Sequence, residues 1–95
     1  MRYLKVLWIE AAPTEPSFFY WACGPDGWAQ RSIEIYCDGS FRLASRETRR
    51  NDGELPQAPV TEGLEQARES KEFRIQDIEA DEFERIWQKL MDREQ

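Results

Sequence analysis

The fold is decided by the stretch Ile33-Glu34-Ile35-Tyr36-Cys37-Asp38-Gly39-Ser40-Phe41-Arg42-Leu43. Two runs of alternating apolar and polar residues flank Asp38-Gly39, and this pattern predicts a β-hairpin. A two-residue turn would mix apolar with charged side chains on each face of the hairpin. A three-residue loop, with Gly39 left-handed in a bulge, instead pairs Ile35 with Phe41 and gives one clean apolar face. The three-residue loop is therefore the register that we expect.

A second hairpin is predicted just before the first. Gly24-Pro25-Asp26-Gly27 supplies its turn, because proline presets φ and glycine accepts positive φ. Its strands are predicted over residues 17–23 and 28–37. Residues 2–10 are β-rich and apolar on both faces, so they are predicted to form an interior strand of the same sheet.

Continuing the register through this hairpin assigns side chains to the two faces of the sheet. It sets Phe18 opposite Ile33 and Cys23 opposite Trp28. The predicted core face carries Phe18, Tyr20, Ile33, Ile35, Phe41 and Leu43. The opposite face carries four large aromatic side chains beside Arg42 and other polar residues, and these aromatics are Phe19, Trp21, Trp28 and Tyr36.

The second half of the chain changes character. Residues 45–59 are polar and contain Asn51-Asp52-Gly53 and two prolines, so a mobile loop is predicted. Thr61 is placed to cap a short helix to about Ser70, and residues 73–78 read as a brief extended segment. A closing helix is predicted because apolar residues recur at i, i+3, i+4, i+7 and i+8. These positions are Phe83, Ile86, Trp87, Leu90 and Met91.

These elements predict a single α+β domain over residues 1–95. An antiparallel β-sheet of about four strands occupies residues 1–44, and a loop occupies residues 45–60. Residues 61–95 are mainly helical. The C-terminal amphipathic helix is predicted to pack on one face of the sheet.

The composition argues against several classes of function. The chain has 19 acidic and 13 basic side chains, a net charge of −6 and no histidine. Without imidazole or a recognisable catalytic motif, no catalytic residue is predicted. Cys23 and Cys37 lack metal-ligand spacing, so we expect two reduced thiols in a cytoplasmic protein, with no metal or cofactor. The negative charge disfavours nucleic acid and anionic membrane as partners.

Several short motifs together resemble a known family. They are Trp8-Ile9, Pro13-Thr14-Glu15-Pro16, Ile33-Glu34-Ile35-Tyr36, Asp38-Gly39, Asp81-Glu82-Phe83 and Trp87. With them the chain resembles, over nearly its whole length, a group of small bacterial single-domain proteins of unknown function. The resemblance implies the same order of strand, loop, hairpin and helix. It differs at Glu79, where the family often has a small hydroxyl residue at the start of the helix, and it implies no function.

The charge is distributed unevenly along the chain. Residues 1–50 carry seven basic and six acidic side chains, whereas residues 51–95 carry six basic and thirteen acidic ones. An acidic half joined to an aromatic sheet face indicates a protein partner. We expect a noncatalytic binding domain, an acidic inhibitor or immunity-type protein that acts on a more basic partner. The candidate binding residues are Phe19, Trp21, Trp28, Tyr36, Arg42, Glu62, Glu65 and Glu69.

Other interpretations of the same features stay open. The aromatic face is also compatible with a core covered by the long loop or by a second helix. A small enzyme or ligand-binding protein would use the aromatics and arginines as the lining of its site. A structural homodimer would join two copies through the sheet. The glutamates of the short helix are also compatible with a solvated helical face.

Overall fold

The computed structural model describes residues 1–93, so residues 94 and 95 of the predicted helical region lie outside it. The strands are β1 (Arg2–Trp8), β2 (Pro16–Cys23), β3 (Ala29–Tyr36), β4 (Phe41–Ser45), β5 (Arg49–Arg50) and β6 (Phe73–Ile78). A 3₁₀ turn (Val60–Gly63) leads into α1 (Leu64–Glu69). The chain closes with α2 (Ala80–Arg93).

All strands form one antiparallel sheet in the order β5-β4-β3-β2-β1-β6. The predicted α+β class is confirmed, but the sheet has six strands, not about four. One added strand, β5, is only two residues long. The other, β6, pairs with β1 and sets Tyr3 opposite Ile78, a partner too distant in the chain for a hairpin pattern to reveal. Because β1 lies between β2 and β6, its predicted interior position is also confirmed.

The structure confirms the predicted register of one hairpin and corrects that of the other. The three-residue loop is confirmed, with Ile35 opposite Phe41 and Gly39 at a φ of 90°. The predicted register between β2 and β3 is wrong by two residues, since Phe18 lies opposite Ile35. An irregularity between Ala22 and Cys23 contributes part of this shift. A shift by two leaves Phe18 on its predicted face, because side chains alternate with a period of two.

The main core lies between α2 and the sheet face that carries Tyr20, Ile33 and Leu43, called here the α2 face. Phe83 is fully buried in this core, and Leu90 is buried about two turns further along the same face of α2. Trp87 and Met91 pack against the same cluster at partly buried positions. The predicted apolar stripe of the closing helix is therefore confirmed.

A stacked arrangement fixes the start of α2 on the sheet. The ring centroids of Phe83 and Trp87 are 6.2 Å apart, and the guanidinium of Arg31 lies 4.8 Å from the centroid of Phe83. Arg31 also forms an ion pair with Glu84. The cation supplements burial, because a guanidinium over an aromatic face is attracted by the ring quadrupole.

Two predictions for the middle of the chain need correction. The predicted loop over residues 45–59 is interrupted by β5, which pairs with β4. The tight turn between the two strands is closed by a hydrogen bond of 2.7 Å from the Ser45 N–H to the Thr48 O. The predicted cap at Thr61 is wrong. Pro59 precedes the 3₁₀ turn and Gly63 precedes α1, and neither helical segment has a side-chain cap.

Shortening a buried side chain of α2 should destabilise the domain in proportion to its burial. We expect Phe83→Ala to lower the free energy of unfolding by about 3–5 kcal/mol, and Trp87→Ala to cost less because its ring is only partly buried. Exposed Lys89→Ala is the control and should change stability by less than about 0.5 kcal/mol. Urea denaturation followed by tryptophan fluorescence measures all three. An unchanged midpoint for Phe83→Ala would contradict a core centred on α2.

Candidate functional site

The sheet face opposite α2 has an apolar centre of its own. This groove face carries Leu4, Val6 and Trp21, which lie on neighbouring strands with Leu4 opposite Trp21. Leu4 and Cys23 are completely buried there, under Leu64 at the start of α1. A second, smaller core therefore holds α1 on the groove face.

Residues 53–60, called here the crossing segment, link β5 to the 3₁₀ turn across the groove face. At one end Gly53 lies against the backbone of Leu43, so close that a Cβ atom would overlap the Leu43 carbonyl. At the other end the Val60 N–H donates a hydrogen bond to Gly27 O over 2.8 Å. The predicted alternative was cover by the long loop or by a second helix, and the structure places parts of both, the crossing segment and α1, on this face.

An open apolar groove of about 420 Å³ remains between the crossing segment, α1 and the sheet. The sheet forms its floor through Val6, Trp21, Phe73 and Ile75. Its walls include Ala58, Val60, Leu64 and Ala67. A concavity with this lining is suited to an apolar side chain or a small apolar molecule.

A second concavity is larger than the groove but has a mostly polar lining. It measures about 500 Å³ and lies beside Arg49, Asp52 and Glu54, in the turn that follows β5. Those three side chains are exposed. Because an apolar lining with a few convergent polar groups is typical of binding sites, the groove is the better candidate.

The structure separates the four predicted aromatic residues. Phe19 and Trp21 lie together, with ring centroids 5.4 Å apart, and Trp21 reaches the groove. Trp28 does not lie with this pair, because the irregularity before Cys23 brings Ala29 into the second core instead. Trp28 lies at the hairpin turn and is 42% exposed. Tyr36 lies further along the sheet, beside Arg42.

Tyr36 and Arg42 belong to a polar cluster with Glu34. The guanidinium of Arg42 lies 5.5 Å from the Tyr36 ring centroid, and Glu34 is directly opposite Arg42 in the sheet. Burial raises the pKa of Glu34, while the charge of Arg42 and a hydrogen bond with Tyr36 act in the opposite direction. Arg42 therefore faces a carboxylate of its own chain, which reduces its availability to a partner.

The predicted acidic residues lie beside the groove. Glu62 is in the 3₁₀ turn, Glu65 and Glu69 are in α1, and all three are exposed. The same two elements supply Val60, Leu64 and Ala67 to the groove walls. Negative charge and apolar surface thus occur on one small structural unit.

Sequence reasoning missed the groove residues of β6 and the crossing segment. Phe73 and Ile75 alternate with polar Arg74 and Gln76, a pattern that indicates a half-buried strand. Using this signal also requires knowing that β6 joins β1, and no local pattern supplies that partner. Val60 carries no periodic signal at all.

Within residues 1–93 the two thiols differ in exposure, and the acidic side chains form no group that could hold a metal ion. Cys23 is buried, and burial raises the pKa of its thiol, which disfavours the nucleophilic thiolate. In that range no group of three or more Cys, Asp or Glu side chains is placed to hold a metal ion. None of the helices described there combines the length and apolar composition needed to cross a bilayer.

The chain belongs to the family DUF6881, a domain of unknown function, which matches residues 2–92. This match confirms the resemblance to a family of unknown function. No curated protein and no solved structure is significantly similar to the chain.

The fit of the crossing segment can be tested with two glycines. Gly53→Ala should lower stability by about 1–3 kcal/mol, because its Cβ would overlap the Leu43 backbone and force the segment off the sheet. Gly63→Ala is the matched control, since its Cβ would meet no atom within 4 Å. It should be neutral or slightly stabilising. Equal denaturation midpoints for the two variants would show that the crossing segment is not seated on β4.

Proposed function

We propose that this member of the DUF6881 family is a noncatalytic binding domain that takes a more basic protein as its partner at the groove. Its role would be that of an acidic inhibitor or immunity-type protein in the bacterial cytoplasm. One observation carries the proposal: an open apolar groove of about 420 Å³ lies directly beside an exposed acidic helix. No other surface of residues 1–93 described above combines the two properties.

The groove supplies the apolar part of such an interface. Trp21 and Phe73 provide aromatic surface, and tryptophan is among the residues that contribute most to protein binding energy. Both are partly buried before any partner arrives. The floor is therefore preorganised, and little conformational entropy would be lost on binding.

The acidic residues supply the electrostatic part. Residues 61–82 contain eight acidic and three basic side chains, a net charge of −5 in a chain whose total is −6. This range includes α1 on the groove face and the start of α2 on the opposite face, and the negative charge beside the groove would accelerate encounter with a positively charged surface. It also disfavours acidic proteins as competing partners.

A small apolar ligand is the second candidate for the groove. The groove volume lies within the range of roughly 300–1,000 Å³ that is usual for small-molecule sites. The affinity for a ligand of this kind would not depend on Glu62, Glu65 or Glu69, because these residues are exposed and do not line the groove. The charge dependence of binding therefore distinguishes the two candidates.

Reversal of the acidic residues should slow association with the partner. We expect Glu62→Lys, Glu65→Lys, Glu69→Lys to reduce the association rate about tenfold at low salt and to flatten its salt dependence, since exposed charges act through steering. The control variant Glu10→Lys, Glu47→Lys, Asp92→Lys changes three exposed acidic residues elsewhere and has the same net charge. It should associate faster than the first variant. The partner is first isolated from the native host by affinity capture and identified by mass spectrometry, and surface plasmon resonance then gives the rates.

The same rate measurements distinguish the contribution of the groove from that of the acidic side chains. Ala58→Asp places a charge at the apolar wall and should mainly raise the dissociation rate, whereas Ala80→Asp, at an exposed position of α2, should not. Partner binding that is unchanged by both Ala58→Asp and the reversed glutamates would refute the proposal. Retention of a small apolar molecule, lost only in Ala58→Asp, would favour the ligand-binding alternative.

A further inference from the structure

The two edges of the sheet differ in how well they are protected. The β5 edge is two residues long and consists of Arg49 and Arg50, so it is both short and charged. The β6 edge is six residues long, contains no proline, and pairs with β1 without a register shift. Proteins usually protect a free edge with short strands, charges, prolines or bulges. β6 contains the charged residues Arg74 and Asp77 but neither a proline nor a bulge, so its outer backbone groups are a template for another strand.

The unpaired backbone groups of β6 can be assigned residue by residue. Ile9 N–H donates a hydrogen bond to the directly opposite Glu72 O over 2.8 Å. Antiparallel pairs alternate between hydrogen-bonded and non-bonded, so Arg74, Gln76 and Ile78 also bond to β1. The N–H and C=O groups of the alternate residues, Phe73, Ile75 and Asp77, therefore point away from β1. No hydrogen bond from these groups occurs within residues 1–93.

The residues with free backbone groups have their side chains on the groove face. Phe73 and Ile75 form part of the groove floor. Asp77 is held by Arg2 at 2.8 Å and by Arg68 at 3.4 Å, which ties the strand to β1 and α1. A strand added along β6 would place every second side chain beside Phe73 and Ile75, on the same face.

We propose that β6 receives an extended segment of the basic partner as a seventh, antiparallel strand, and this inference rests on the binding function proposed above. Main-chain hydrogen bonds would give affinity, and apolar side chains entering the groove would give specificity. Residues 71–79 carry three acidic and two basic side chains, with exposed Glu72 and Glu79 directly before and after the strand, so we expect the segment to carry apolar residues at its centre and basic residues at its ends. A second copy of this chain fits less well, because it would bring together two domains that each carry a net charge of −6.

A synthetic peptide provides the probe. It is acetylated and amidated, has lysine at each end and three threonine-valine pairs between them, and so aligns its valines with Phe73, Ile75 and Asp77. A matched peptide N-methylated at the three valines keeps the side chains but loses the N–H donors that would face β6. Hydrogen exchange of the full chain is followed by NMR with and without each peptide.

Without peptide, the amides of Phe73, Ile75 and Asp77 should exchange faster than those of Arg74 and Gln76. The first peptide should slow exchange of those three amides at least about tenfold, and the N-methylated peptide should not. Ile75→Pro, which removes an outward N–H, should weaken binding more than Ile75→Ala, which removes the side chain but keeps the N–H.

Three results would overturn the inference. Equal binding of both peptides would exclude strand addition but leave the groove and its acidic helix as a binding site. If neither peptide binds, a basic strand at β6 is excluded. The proposed function is then tested separately by the association rates of the glutamate variants. Protection of the same three amides by self-association, rising with protein concentration, would identify a second copy as the occupant.

Discussion

The structure depends on the burial of both faces of the interior strands β1 and β2. On one face the fourteen-residue helix α2 supplies Phe83 and Leu90, which complete a continuous core. On the other face only a six-residue helix and an irregular segment are present to cover Leu4, Val6 and Trp21. This cover is incomplete, and the apolar groove is the part of the second face that remains open. The candidate site is thus a direct consequence of the way the sheet is covered.

The incomplete cover also explains why apolar surface and negative charge are adjacent. The segment from Val60 to Ile78 forms part of the groove lining and one edge of the sheet. The rest of its surface is in contact with solvent. Five of its eleven exposed residues are acidic, among them Glu62, Glu65 and Glu69. Charge at these positions acts mainly on the rate of encounter, whereas contacts inside the groove act mainly on the lifetime of a complex. Under the proposed function, one structural unit would therefore make two separable contributions to binding.

The features that could be predicted from sequence were those with local causes. The spacing of Phe83 and Leu90 identified α2, and alternation around Gly39 identified the β3–β4 register. The pairing of β6 with β1 and the path of residues 53–60 depend on contacts between distant parts of the chain, and no periodic pattern encodes them. The prediction for Trp28 was wrong because the irregularity between Ala22 and Cys23 brings Ala29 into the second core and leaves Trp28 at the turn, whereas Phe18 and Ile35 keep their predicted face.

Site-specific photocrosslinking in the native host tests the binding account most directly. A photoreactive amino acid at Ala58 lies in the groove wall, and the same residue at Gln88 lies on the exposed surface of α2. The account predicts a crosslink from position 58, and not from position 88, to a protein of net positive charge. Crosslinks from position 88 alone, or a predominantly acidic protein captured at position 58, would contradict it.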